Sequence, residues 1–191
     1  ILGGPEAQDR VIELIQTSES WVPIRLAGYT FDYQPLVAAL CAAKSANSHR
    51  VVDVVMGRVN TLTGPTKNQN PMARQLLQAG VRVRLAKGQK LTPVSHDAGR
   101  DSTKLGGLIG ALHAKSVMIG RHAVIGSTNW TVSSRANQEC SVHLEMDTPT
   151  NQHVSAFFDR MWDNAEVVTQ EFLFDEMNDR LRVQAAKATN N

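Results

Sequence analysis

Short apolar runs alternate along this chain with segments whose apolar residues recur at helical spacing, and this alternation constrains the fold more than any other feature. Three runs rich in Val, Ile and Leu predict buried strands: Val22–Tyr29, Arg50–Met56 and Val81–Leu85. Three other segments predict helices: Ala7–Ile15, a segment that begins near Pro35, and Pro71–Ala79. This β-α-β-α-β order predicts an α/β domain in which a mixed β-sheet is flanked by helices on both faces.

The second half of the chain predicts a hairpin, one more strand and two more helices. Residues 88–112 form a long connection that contains glycine and serine and has no clear period. The later elements are apolar runs at Leu112–Ile119 and Ala123–Asn129, a strand at Cys140–Met146, a helix that carries Val154 to Trp162, and an acidic helix from Val167. We expect one domain over residues 1–191, with a core at about residues 5–165, a C-terminal acidic helix at about 166–185 and a frayed tail.

Composition places the chain among globular proteins and excludes several other classes. Hydrophobic residues make up 42% of the 191 residues and charged residues 20%, which excludes collagen-like, coiled-coil and wholly disordered chains. No apolar run approaches the roughly 18 residues of a membrane helix, and no leader peptide is visible. The two cysteines, Cys41 and Cys140, lack metal-ligand spacing, and we expect them to be buried. The sequence predicts no metal site and no cofactor.

Positive charge is concentrated in one segment, although the net charge of the chain is only +2. Six cations lie between Arg82 and Lys104, where the acids are Asp97 and Asp101. Such a segment suits an anionic, phosphate-bearing partner. A solvated loop without a partner explains the same charges, so composition alone leaves both interpretations open.

The predicted hairpin carries four polar side chains on otherwise apolar strands. His113 and Lys115 are two residues apart, as are Ser127 and Asn129, so each pair points to one face of its strand. A three-residue loop that starts at Gly120 places Lys115 opposite Ser127 and His113 opposite Asn129, on one face of the sheet. A two-residue loop from the same glycine would place the two pairs on opposite faces. The register of the hairpin therefore discriminates between the two loops, and only the three-residue loop builds a site.

An imidazole, an ammonium, a hydroxyl and an amide in one cluster suit phosphoryl chemistry. Imidazole can attack phosphorus, and ammonium and amide donors can neutralise the charge that develops on phosphate oxygens in the transition state. Each of these residues taken singly has a structural explanation, such as a core histidine or a surface lysine. Together they favour a site, because so many polar groups on one apolar hairpin would otherwise need burial without partners.

The residues around this hairpin resemble the signature of a known family. His113-Ala114-Lys115, then Gly126-Ser127-Thr128-Asn129-Trp130-Thr131, then Asn137-Gln138-Glu139 are similar to the HxK…GSxN…E signature of the phospholipase D superfamily. The strand at Ala27–Phe31 and the strand entry at Ala79–Val83 are similar to that family too, so the resemblance covers roughly residues 5–165. The chain resembles the nuclease-like members that carry a single motif, such as the bacterial Nuc-type endonucleases and the Zucchini-type nucleases.

The resemblance implies a role for each motif residue. His113 would be the nucleophile that forms a phosphohistidine intermediate. Lys115 and Asn129 would bind the non-bridging phosphate oxygens, and Ser127 would add a hydrogen bond. Glu139 would fix the tautomer of the imidazole, as an orienting carboxylate does for a catalytic histidine.

One position departs from the family pattern. The motif usually continues as HxKxxxxD, whereas Gly120 stands where the family has Asp, and the GS pair follows one residue early. This departure fits a deletion of the Asp within a tightened hairpin. Because that Asp supports the family's site more than it performs the chemistry, we expect an active enzyme whose site is less rigid.

The resemblance also implies a substrate and a partner. We expect a metal-independent phosphodiesterase, namely a nuclease acting on single-stranded DNA or RNA, with substrate-binding cations at Lys87, Lys90, Arg100 and Lys104. The chain has a single HxK sequence, so the second histidine that an in-line displacement requires would come from another copy, and we expect a homodimer. Two alternatives stay open: a phosphodiesterase for phospholipids of the cardiolipin type, and an inactive module that serves as a binding partner or scaffold.

Overall fold

A mixed β-sheet lies between two layers of helices in the computed structural model, which describes residues 1–58, 69–90 and 109–174. The strands are β1 (Ile24–Gly28), β2 (Val52–Gly57), β3 (Arg82–Lys90), β4 (Ile109–Ala111), β5 (Lys115–Ile119), β6 (His122–Gly126), β7 (Ser141–Glu145) and β8 (Glu166–Val167). The helices are α1 (Gly4–Thr17), α2 (Gln34–Ala46), α3 (Gln69–Gln78) and α4 (Thr148–Asp163). A 3₁₀ turn covers Ser133–Arg135, and a further helix begins at residue 170.

The strands are ordered β4-β3-β2-β1-β5-β6-β7, and β8 also pairs with β3. Strands β1, β2 and β3 are parallel to one another, whereas β1 pairs antiparallel with β5, β5 with β6, and β6 with β7. Two backbone hydrogen bonds of 2.7 and 2.9 Å join Leu2 to Ser141, so the N-terminus is attached to β7. The mixed α/β sheet that the sequence predicts is confirmed.

Helices cover both faces of the sheet, as predicted. On one face, α1, α2 and α3 bury a core against the sheet that includes Val11, Leu40, Leu76 and Val54. On the other face, α4 buries a smaller core that includes Phe158. Three of these helices have a proline as their second residue, where the missing N–H leaves no helical bond unmade.

A buried charge on the α4 face of the sheet has a matching partner. Asp53 on β2 is buried, and the Arg82 side chain on β3 donates two hydrogen bonds of 2.6 and 2.7 Å to its carboxylate. This two-pronged geometry compensates the cost of burying the carboxylate.

Three sequence-based expectations are wrong. The connection at 88–112 is strand at both ends, because β3 continues to Lys90 and pairs there with β4. The acidic helix starts late, because Glu166 and Val167 form β8 on the edge of β3 and the helix begins at residue 170. Cys140 is exposed instead of buried, because it lies just before β7 where the chain enters the sheet. Residues 175–191, including the predicted tail, lie outside the described residues.

Candidate functional site

Four strands begin or end at the same edge of the sheet, and the motif residues lie in the segments next to them. Strand β1 ends at Gly28, which pairs with Lys115 at the start of β5. Strand β6 ends at Gly126, which pairs with Ser141 at the start of β7. The carboxyl ends of parallel strands are a common place for binding sites, because the loops that follow them converge there. The two parts of the motif therefore approach each other at this edge.

His113 and Lys115 are held together against one aromatic ring. The ammonium of Lys115 donates a 2.8 Å hydrogen bond to the main-chain carbonyl of His113 and lies 5.3 Å from the centre of the Tyr29 ring. The His113 ring is 5.1 Å from the same ring, centre to centre. Lys115 is 5% exposed, whereas His113 is exposed. An accessible imidazole thus lies beside a buried cation.

Tyr29 is a site residue that the motif does not mark as functional. It directly follows β1, and Gly57 at the end of β2 packs so closely that an added Cβ would lie 2.6 Å from the Tyr29 carbonyl oxygen. The signal in the sequence is an aromatic residue directly after the glycine that ends a buried strand.

The surroundings of Lys115 act on its charge in two directions. Burial lowers the pKa of its ammonium from the ordinary value of 10.5, and the negative charge of Glu139 raises that pKa in part. A buried ammonium is a favourable position for an added anion, because the anion offsets the desolvation of the charge.

Ser127 and Glu139 form a short hydrogen-bonded pair. The Ser127 hydroxyl donates to one Glu139 oxygen at 2.5 Å and accepts a 2.9 Å hydrogen bond from the N–H of Cys140. The other Glu139 oxygen accepts from the Ser134 hydroxyl at 3.2 Å and from the Asn137 amide at 3.3 Å. Among the described residues, these donors occupy the carboxylate, so the expected role of Glu139 in fixing the His113 tautomer stays a prediction.

Asn129 lies in a loop that is fixed from both sides. The side-chain amide of Gln8 on α1, which is fully buried, donates to the main-chain carbonyls of Asn129 at 2.8 Å and Thr131 at 2.9 Å. The indole N–H of Trp130 donates to the Ala27 carbonyl at 2.9 Å. The side-chain oxygen of Asn129 is buried and has no hydrogen-bond partner within the described ranges.

A close approach to Trp130 requires a glycine at the end of β1. A Cβ added to Gly28 would lie 2.5 Å from Cδ1 of the Trp130 ring. Because real side chains do not tolerate that distance, the indole can seal the end of β1 only next to a glycine. This contact brings the loop that carries Asn129 to the strand that leads into Tyr29.

The hairpin has the two-residue loop. In that register, strand pairing does not bring the four polar side chains to one face of the sheet. Ile119 pairs with His122, so the loop has two residues, and Gly120 has a φ of +57° as its first residue. The pairings of Lys115 with Ser127 and of His113 with Asn129, which a three-residue loop would give, are therefore absent. The site does not depend on them, because His113, Ser127 and Asn129 lie beyond the ends of β5 and β6.

The same turn explains the departure from the family motif at position 120. Its positive φ favours glycine, and a Cβ there would lie 3.0 Å from Val22. An aspartate at this position would strain the turn.

Of the predicted substrate-binding cations, one is fully described. Lys87 is exposed on β3 and pairs with Ala111, which is two residues before His113. The side chain of Lys90, and all of Arg100 and Lys104, lie outside the described residues. Whether these four cations act together stays a prediction.

Within the described ranges, no group of three or more His, Cys, Asp or Glu side chains is arranged to hold a metal ion. The same residues contain no helix that is both long and apolar enough to span a membrane.

Comparison with known proteins agrees with the motif. A family model described as "Cardiolipin synthase, PLD-like domain" matches residues 11–162. No curated protein sequence matches the chain.

Several solved structures share the fold. Nuc from Salmonella typhimurium, a phospholipase D family member, is 17% identical, with a TM-score of 0.64 over 85% of this chain and 91% of its own. NucT from Helicobacter pylori is 18% identical, with a TM-score of 0.62 over 86% and 92%. The archaeal chromatin protein TrmBL2 is 13% identical, with a TM-score of 0.56 over 88% and 53%. At these identities the likeness shows the fold.

Proposed function

Because this chain belongs to the family of PLD-like domains described under cardiolipin synthase, we propose that it is a metal-independent phosphodiesterase that cleaves nucleic acid. The observation that carries the proposal is the exposed imidazole of His113, packed on Tyr29 beside the buried ammonium of Lys115. An accessible nucleophile next to a fixed cation is what an attack on a phosphodiester requires.

In the proposed first step, an imidazole nitrogen of His113 forms a bond to phosphorus while the bond from phosphorus to the leaving oxygen breaks. The leaving oxygen takes a proton from an acid on the opposite side of the phosphate. In the second step, water attacks phosphorus, the phosphorus–nitrogen bond breaks, and the acid recovers a proton from the water. Both steps balance without a metal ion.

Lys115 and Asn129 bind the non-bridging oxygens in this proposal. The burial of the Lys115 ammonium and the unpartnered side-chain oxygen of Asn129, whose amide could turn to present its N–H₂ group, support these roles. Ser127 contributes through its hydrogen bond to Glu139, which keeps a carboxylate near Lys115. In this proposal, Glu139 orients the imidazole of His113.

The acid comes from a second copy in this proposal, because one histidine cannot lie on both sides of the phosphate. The chain has a single HxK sequence, so a two-fold axis near His113 would supply the second imidazole and give one composite site for each homodimer.

The basic segment from Arg82 to Lys104 favours a nucleic acid as the substrate, since neighbouring phosphates need further cations along the strand. A phospholipid substrate is the second candidate, and the description of the matching family as cardiolipin synthase favours it. An inactive binding or scaffold module is the third, and the glycine in place of the motif aspartate favours it.

The test compares wild type with His113→Ala on fluorescent single-stranded DNA, single-stranded RNA and cardiolipin vesicles, in parallel. We expect cleavage of an oligonucleotide by wild type and a loss of roughly 10³-fold or more in the variant. His49→Ala, which changes an exposed histidine before β2, is the matched control and should retain activity. Cleavage of the lipid alone would support the second candidate, and an unchanged His113→Ala rate would contradict the proposed nucleophile.

A further inference from the structure

A small apolar pocket opens beside His113 on the α4 face of the sheet. It has a volume of about 210 Å³ and is lined by residues of β5, the segment just before β5, β6 and α4. Its polar lining residues are His113, Lys115 and Ser116, so it is continuous with the candidate site. The apolar side chains in its wall are those of Ala114, Met118, Ile125, Val154, Phe157 and Phe158. Among the described lining residues there is no carboxylate, so an occupant attached to a phosphate meets no repulsion there.

The size of the pocket limits what it can hold. Pockets for drug-sized ligands have volumes of roughly 300–1,000 Å³, whereas an apolar cavity of roughly 150 Å³ accepts a single benzene ring. A volume of about 210 Å³ therefore suits one planar ring system.

Two neighbouring phenylalanines of α4 differ in a way that fits this use. Phe158 is 2% exposed and stacks on Trp162 within the core, with ring centres 6.1 Å apart. Phe157 lines the pocket, and 47% of it is exposed. The guanidinium of Arg160 lies 5.9 Å from the centre of the Phe157 ring. An exposed aromatic face with a cation beside it suits a nucleobase and the phosphate that follows it.

His113 on the rim connects this pocket to the reacting phosphate. A substrate group that enters the pocket while His113 attacks lies next to the scissile phosphate. We propose that the pocket binds the nucleobase next to the scissile phosphate, with Phe157 as its stacking surface. This inference rests on the proposed function and extends it to a base-binding subsite. Because stacking uses no specific hydrogen bond, the subsite accepts different bases.

The experiment is a double-mutant cycle between the protein and the substrate. Phe157→Leu removes the aromatic face and keeps an apolar side chain. A labelled single-stranded oligonucleotide is compared with one whose central residues are abasic. We expect Phe157→Leu to lower kcat/KM on the normal oligonucleotide by roughly 5- to 150-fold, the range of base–aromatic stacking, and to leave the abasic substrate nearly unchanged.

Phe174 provides a matched control elsewhere in the chain. It is 46% exposed and has the Arg74 guanidinium 5.4 Å from its ring centre, but it does not line the pocket. Phe174→Leu should leave both rates unchanged. Circular dichroism of each variant should match that of wild type, because both rings are half-exposed.

Several results would overturn the inference. Equal losses on the normal and abasic oligonucleotides, or no loss on either, would mean that the pocket holds no base. A loss confined to cardiolipin vesicles would assign it to an acyl chain. Dissociation of Phe157→Leu in light scattering would assign it to an interface between copies. If wild type cleaves no oligonucleotide at all, the proposed function itself fails, and the base-binding subsite fails with it.

Discussion

Gln8 on the first helix holds the main chain of Asn129 in place from 121 residues away, through a 2.8 Å hydrogen bond to its carbonyl. The same amide reaches Thr131 at 2.9 Å and is fully buried. Gln8 is therefore a positioning residue for the loop that carries a proposed phosphate ligand. The position of Asn129 therefore depends on a residue of α1, which lies outside the motif.

Gln8→Ala should reduce both stability and turnover. The substitution leaves the buried carbonyl of Thr131 and the partly buried carbonyl of Asn129 without this donor, so we expect the free energy of unfolding in urea to fall by about 1–3 kcal/mol. At a temperature where the variant stays folded, kcat should fall more than KM rises, because a displaced Asn129 serves the transition state poorly. Gln16→Ala, an exposed glutamine on the same helix, is the control. An unchanged kcat in the folded variant would limit Gln8 to a structural role.

Lys115 should make stability depend on pH in a defined direction. Burial lowers the pKa of its ammonium, whereas the unfolded chain keeps the ordinary value of 10.5. Between the two values the unfolded chain binds more protons, so the contribution of this group to the free energy of unfolding rises with pH. The stability of wild type relative to Lys115→Met should therefore increase from pH 7 to pH 10 in denaturant unfolding.

Lys87→Met provides the control for this measurement, because Lys87 is exposed. The same comparison with Lys87→Met should be nearly flat over that range. A relative stability that decreases with pH for Lys115→Met would show that the neighbouring carboxylate outweighs burial.

Turnover should continue in excess EDTA. In the proposed mechanism, the imidazole of His113 supplies the nucleophile and the ammonium of Lys115 supplies positive charge, which are the tasks that divalent ions perform in two-metal nucleases. The measurement is the cleavage rate of a fluorescent oligonucleotide before and after chelation. Loss of activity with EDTA and its recovery with Mg²⁺ would refute the phosphohistidine mechanism.

The basic segment should control affinity for oligonucleotides and little else. Replacing Lys87, Lys90, Arg100 and Lys104 by Ala should weaken binding, and should reduce the salt slope by roughly 0.7 for each phosphate of the single strand that the variant no longer neutralises. Hydrolysis of a small chromogenic phosphodiester should change little. Equal losses on both substrates would mean that the segment forms part of the site itself. No loss on either substrate would mean that these cations are solvated surface charges without a role in binding.

Mixed dimers should reveal the composite site. When wild type and His113→Asn are mixed in equal amounts and allowed to exchange, random pairing gives wild-type homodimers in about a quarter of the population. If both histidines serve one reaction, activity should fall to about a quarter of that of all-wild-type enzyme. A fall to only about half would indicate independent sites. A monomer in light scattering with undiminished specific activity would also end the dimer proposal.

Sequence reasoning predicted the sheet and its two helical layers because alternating strand and helix periods leave few arrangements. It left the hairpin register open, because two- and three-residue loops fit the same sequence, and the pairing of Ile119 with His122 is what distinguishes them. It missed Gln8, although a polar residue between Ala7 and Val11 on the buried face of α1 is a usable signal. It also missed Tyr29 and the exposed ring of Phe157, because their use depends on contacts between distant elements.

The attachment of Leu2 to Ser141 determines when this site can form during folding. The two residues are 139 positions apart, and closing such a long loop is slow compared with forming a helix or a hairpin. Strands β1 to β3 and their helices can associate while the rest of the chain is still being made. Ser141 must be synthesised before Leu2 can pair with it beside β7. Asn129 must likewise be synthesised before Gln8 can donate a hydrogen bond to its carbonyl. Completion of the candidate site therefore requires contacts between distant parts of the chain, and a chain that ends before residue 139 contains β1 to β6 and lacks Glu139.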